Sequence, residues 1–136
     1  MSPPFSMNLP VLRSGRTGTF VHVEGDRSPA GICSLAVVDN DRCYICAARD
    51  FFDALKAIRL ILEARGVQVL CNGSREDVWP SPKSRRRDAG LVAYVCRPGQ
   101  FATEEVQIFE DATDTEHVSV STQEAYARRW LASVGR

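Results

Sequence analysis

The sequence predicts an α+β domain, with about six strands in an antiparallel or mixed sheet and two packed helices in the order βββαβββα. Three observations carry this prediction. An amphipathic helical period runs through residues 51–62, with stretches of period-two alternation or short apolar runs before and after it. Turn residues punctuate those stretches at the spacing strands require. Finally, 136 residues with 44% hydrophobic and 25% charged content suit one globular domain that buries its own core.

The elements follow in chain order. Residues 1–16 combine Pro3, Pro4 and Pro10 with Ser and Gly and read as a flexible leader, leaving 17–136 as the single domain. From Thr17, the alternation of Thr19, Val21 and Val23 with Phe20, His22 and Glu24 marks a strand that Gly25-Asp26 closes. Ile32 to Val38 is apolar enough for a central strand. Asp39-Asn40-Asp41 is turn chemistry, because short carbonyl side chains tolerate left-handed backbone, so Arg42 to Ala47 returns as a hairpin. Asp50 caps the helix whose stripe is Phe51, Leu55, Ile58 and Leu62, and Gly66 ends it.

Val67 to Cys71 reads as a short strand stopped by Asn72-Gly73. The following residues, with Pro80 and Pro82, read as a long loop. Leu91 to Cys96 and Val106 to Phe109 are two more strands, separated by the turn Arg97-Pro98-Gly99. Ser121 opens the last helix with Glu124 as its capping-box partner, and Tyr126, Ala127, Trp130, Leu131 and Val134 supply the apolar face.

Composition narrows the function classes. Lys+Arg and Asp+Glu both number 17, so no whole-molecule field draws the chain to nucleic acid or anionic membrane. The charge is nonetheless segregated: Lys83, Arg85, Arg86, Arg87 and Arg97 precede Glu104, Glu105, Glu110, Asp111, Asp114 and Glu116, which predicts two opposed patches. No stretch approaches the roughly 20 apolar residues a membrane span needs. The N-terminus lacks an apolar signal region and the five cysteines are an odd count, so the expected compartment is the reducing cytoplasm.

No catalytic or metal-binding pattern emerges, and no cofactor is expected. Cys43 and Cys46 form one CxxC, but on a strand residues three apart face opposite sides, so buried structural cysteines are the expectation. His22 and His117 have no nucleophile placed beside them by the sequence. Gly15-Arg16-Thr17-Gly18 lacks the spacing of a phosphate-binding loop. Adjacent carboxylates such as Glu104-Glu105 and Glu110-Asp111 diverge on strands.

Lys83-Ser84-Arg85-Arg86-Arg87 could grip phosphate, yet Trp79 is its one nearby aromatic and the acidic stretch opposes a polyanion, so a solvated loop pairing with Asp88, Glu76 or Asp77 is preferred. Trp79 is either an anchor of that loop or an exposed contact.

The segments FFDALKAIRLILEARG, VLCNGSREDVWPS, GLVAYVCRPG, EVQIFEDA and VSVSTQEAYARRWLASV together resemble small uncharacterised bacterial proteins encoded beside secreted or polymorphic toxins, read as cognate immunity proteins. The resemblance spans roughly 48–134, most of the domain. It implies an inhibitor that occludes a toxin or effector protein and needs no active site. Arg75, Trp79, Arg85, Arg86 and Arg87 would then form one contact patch and Glu104, Glu105, Glu110 and Asp111 the other. The alternative is a small enzyme or ligand-binding domain, with Asn72, Ser74, Arg75 and Tyr94 receiving an anionic small molecule.

Overall fold

A computed structural model describes residues 4–112 and 116–134. The chain runs β1 (Phe5–Arg13), β2 (Arg16–Arg27), β3 (Cys33–Asp39), β4 (Arg42–Ala48), α1 (Phe51–Glu63), β5 (Val67–Val69), a single 3₁₀ turn at Asn72–Ser74, β6 (Val78–Trp79), α2 (Pro82–Arg87), β7 (Val92–Val95), β8 (Glu104–Gln107) and α3 (Val120–Ser133). The α+β class is as the sequence predicts. The strands divide into two antiparallel sheets, one of five in the order β4-β3-β2-β1-β5 and one of three in the order β6-β7-β8.

The expected leader is corrected: β1 lies inside the large sheet, paired with β2 from Phe5↔Gly25 to Arg13↔Arg16 and with β5 at Val11–Arg13. Phe5, Met7, Leu9 and Val11 alternate toward the core, and Leu9 and Val11 are fully buried. Pro10 is tolerated because its backbone faces β5 just past the end of that ladder. Its carbonyl accepts from Leu70 N–H, while the Leu70 carbonyl turns to Ala112 N–H, so the missing proline N–H orphans no acceptor. Ser14 and Gly15, at φ 50° and 81°, close the β1–β2 hairpin as a two-residue turn of left-handed residues.

Helix α1 forms as its sequence dictates. The Asp50 carboxylate accepts from Asp53 N–H at 2.8 Å, and Gly66 leaves the helix at φ 77°, a conformation glycine adopts without Cβ strain. Its buried stripe of Phe51, Phe52, Ala54, Leu55, Ile58 and Leu62 packs on the inner face of the large sheet over β3, β4 and β5, in one core with Leu35, Val37, Val21 and Val23. Burying each large apolar side chain contributes about 1.5–3 kcal/mol.

Further corrections concern the second half. The expected long loop holds α2, started by Ser81: its hydroxyl accepts from Ser84 N–H while the Ser84 hydroxyl accepts from Ser81 N–H, both at 3.0 Å. Pro82 fits because the first helical N–H has no partner to lose. Replacing Ser81 with alanine is expected to cost about 1 kcal/mol, read as a shift in the urea midpoint at constant slope.

Helix α3 is capped by Ser119, whose hydroxyl accepts from Thr122 N–H at 3.2 Å, rather than by Ser121. Glu124 instead accepts from Lys56 Nζ at 2.9 Å. Cys46 is half-buried on the inner face of β4, but Cys43 is exposed on the outer face, against the expectation that both are buried. No helix of the described residues is long and apolar enough to cross a membrane.

Candidate functional site

The site is built around a buried polar hub. Arg59, 2% exposed, donates to the Gly73 carbonyl at 3.0 Å, to Gln123 Oε1 at 2.6 Å and to the Val118 carbonyl at 2.9 Å. Gln123, fully buried, donates from Nε2 toward the carbonyls of Gly73, Arg75 and Val78 at 2.9–3.0 Å. Two side chains thus satisfy the Gly73 and Val78 carbonyls of the irregular 72–78 segment and reinforce the Arg75 carbonyl, which Val78 N–H reaches at 3.4 Å. Burial pulls the Arg59 guanidinium below its ordinary value, while Cys71, Glu63 and Glu124 act in the opposite direction. Gly73 is required by contact rather than by turn geometry: a Cβ there would sit 2.5 Å from Leu55 of α1.

This hub fixes β6, and β6 presents Trp79. The indole meets Phe52 edge-on at 5.3 Å between ring centroids and lies under Lys56 Nζ at 5.4 Å. Its remaining surface faces a groove of about 540 Å³ whose wall continues through Pro80–Lys83, Arg85, Tyr94, Cys96, Phe101, Ala102, Trp130 and Leu131. Helix α3 holds the opposite wall by a stripe at helical spacing. Tyr126 donates to the Cys96 carbonyl at 2.7 Å, Trp130 Nε1 to the Gln100 carbonyl at 2.9 Å, and Ser133 Oγ accepts from Gly99 N–H at 2.8 Å. Those bonds pin the 96–100 turn and leave Phe101 73% exposed beside Leu131, 43% exposed.

The expected contact residues are dispersed differently from the two opposed patches. Trp79 and Arg85 line the groove. Arg85 is also committed inward, at 2.7 Å from Asp50 and 3.0 Å from Asp53, with its guanidinium over Phe52. Burial alone would lower that guanidinium, but its bonds to Asp50 and Asp53 prevail and leave it above its ordinary value.

Arg87 bridges Asp88 and Glu105, and Arg97 bridges Glu104, so the basic and acidic runs interleave across β7 and β8 instead of facing apart. Arg86 and Lys83 are exposed and enter no ion pair among the described residues. Glu110 and Asp111 lie exposed beyond the other end of β8, and Asp114 of the expected acidic run falls outside the described residues.

The alternative anion site is not assembled. Arg75 gives two bonds of 3.0 Å to the Asp77 carboxylate, which occupies the fork an anion would need. Ser74 is fully buried, and Asn72 donates to the Gln107 carbonyl at 3.0 Å. Tyr94 belongs to the groove, its hydroxyl donating to Glu105 at 3.1 Å. His22 contacts Asn8 and Glu24 on the outer sheet face. Among the described residues, no three His, Cys, Asp or Glu side chains converge as metal ligands would.

Cys96, at the groove floor, gives a pH-dependent prediction. Burial, with Asp77 adding to it, pushes the thiol from 9.0 up to about 11. Above pH 9 the unfolded chain releases a proton that the folded chain keeps, so stability is complete below that pH and declines as pH rises toward 11. Denaturant midpoints should fall across that interval, by on the order of 1 kcal/mol per pH unit, and Cys96→Ala should flatten the decline.

Sequence reasoning missed Phe101 and Arg59 and took Trp130 and Leu131 for core. The available signal was the i, i+4, i+7 series Tyr126, Trp130, Ser133, which carries hydrogen-bonding groups where a purely apolar face would not. Comparison with known proteins returns no matching family model and no matching curated protein.

Proposed function

We propose that the protein is a binding module that captures a partner protein in the aromatic groove and acts by occlusion, as an immunity protein acts on its toxin. The carrying observation is the exposure of Phe101 and Leu131 on a wall already fixed by the α3 hydrogen bonds. With the backbone before Phe101 and the helix carrying Leu131 already ordered, covering these residues costs side-chain freedom alone, and aromatic anchors in preformed concavities dominate protein–protein affinity. Lys83 at the rim is exposed and outside every ion pair of the described residues, which favours a partner that presents an acidic group beside an apolar anchor.

The toxin-directed part of the reading rests on the resemblance over residues 48–134. Protection tests it. On this reading a protein encoded beside the gene should arrest growth when expressed alone, and co-expression of the wild-type protein should restore growth while Phe101→Asp does not. An arrest that the wild-type protein fails to relieve rejects the immunity reading.

A further inference from the structure

Among the described residues the outermost strands of the two sheets are β4 and β5, and β6 and β8, and three of the four are blunted. Strand β5 has 3 residues, β6 has 2, and β8 has 4 and carries Glu104 and Glu105. Short strands and edge charges are the usual protection against pairing with another chain. Strand β4 has little of it, its single charge, Arg42, lying at the hairpin end. It runs 7 residues, Arg42–Ala48, without proline, and pairs residue for residue with β3 from Cys33↔Ala48 to Asp39↔Arg42 with no bulge. Among the described residues, no backbone hydrogen bond joins it to anything but β3. Its outer side chains are Cys43, Ile45 and Ala47, and Ile45 is 71% exposed beside Val38 at 39%.

We propose that two copies of the chain pair antiparallel through β4, making one continuous sheet with Ile45 on the two-fold axis. Residue 45 is the midpoint of β4, so this register uses the full strand. In it Ile45 faces Ile45 of the second copy, Cys43 faces Ala47, and Arg42 faces Ala48.

The charges agree with the same register. Asp41 and Arg49 flank the strand, both exposed, neither in an ion pair of the described residues. Counting outward from residue 45 sets Asp41 of each copy against Arg49 of the other. Displacing the register by two residues in either partner loses that match and leaves the strand ends unpaired. A two-fold contact of this kind is self-complementary and closes, so it yields a dimer rather than a fibre.

Sedimentation or light scattering on the full chain over about 1 mM to 1 µM tests the proposal. Wild type should show twice the 15.1 kDa chain mass, dissociating on dilution. Ile45→Lys should be monomeric with an unchanged circular-dichroism melt, because residue 45 is exposed in the single chain. Asp41→Arg should weaken the dimer at least about tenfold by opposing like charges, and Asp41→Arg with Arg49→Asp should restore it. Ile45→Cys in a Cys43→Ser background should oxidise to a covalent dimer, since directly opposed strand residues lie within disulfide reach. A wild-type monomer at every concentration, a dimer that Ile45→Lys leaves intact, or a double charge variant as weak as the single one overturns the proposal.

Discussion

Arg59→Ala should lower the folding free energy by about 3–5 kcal/mol, the range for breaking a buried charged network and opening a cavity. The Val118 carbonyl and Gln123 Oε1 lose the donor that the guanidinium supplies, and each unsatisfied buried acceptor costs about 1–3 kcal/mol. The Gly73 carbonyl keeps Gln123 Nε2, so the penalty concentrates at the start of α3. For a chain of this size the melting temperature should fall by about 10 °C or more.

Arg59→Lys should recover part of the loss, because an ammonium cannot reproduce the planar fork that reaches Gly73, Gln123 and Val118 together. Gln123→Leu should also be costly, leaving the Val78 carbonyl bare and the Arg75 carbonyl with only the 3.4 Å bond from Val78 N–H. Calorimetry of the variants checks both. A loss below 1 kcal/mol for Arg59→Ala would mean that 72–78 is held by its own backbone bonds.

The second large effect belongs to the groove. Phe101→Asp and Leu131→Asp each place a carboxylate where an apolar anchor would be buried. Partner affinity should fall by about 100-fold or more, the loss expected when a central apolar contact becomes an unpaired charge. Both residues are exposed, so the folding free energy should change by less than about 0.5 kcal/mol. Trp79→Ala is less clean, since the indole also packs on Phe52 and under Lys56 and its loss should reduce stability and binding together. Arg87→Glu breaks two exposed pairs and Glu105→Arg one, and both should matter little to stability.

The contrast between α1 and β1 shows what was legible in the sequence. Helix α1 announces itself because cap, stripe and terminating glycine agree. The alternation Phe5, Met7, Leu9, Val11 was equally present, but Pro10 counted against a strand, and the reason it is harmless lies in Leu70 and Ala112, far along the chain. The signature of α2, Ser81 before Pro82 with Ser84 answering, was likewise readable but outweighed by its prolines.

Arg59 could not be read at all. In sequence it is a charge interrupting an apolar helix, and only the approach of 73, 118 and 123 makes it an interior donor. The groove depends on β6, β7, the 96–102 turn and α3, brought together across 53 positions from Trp79 to Leu131. The charge runs misled for the same reason: segregated along the chain, they are brought into pairs by the β7–β8 hairpin register of Tyr94↔Glu105.

The groove as partner surface is tested most directly by paired affinity capture from native lysate at moderate salt. Wild type and Phe101→Asp, matched for melting temperature, are compared by quantitative mass spectrometry. One protein retained stoichiometrically by wild type and lost from Phe101→Asp is the predicted result. The same stoichiometric partner on both proteins, or no stoichiometric protein partner on wild type, contradicts it.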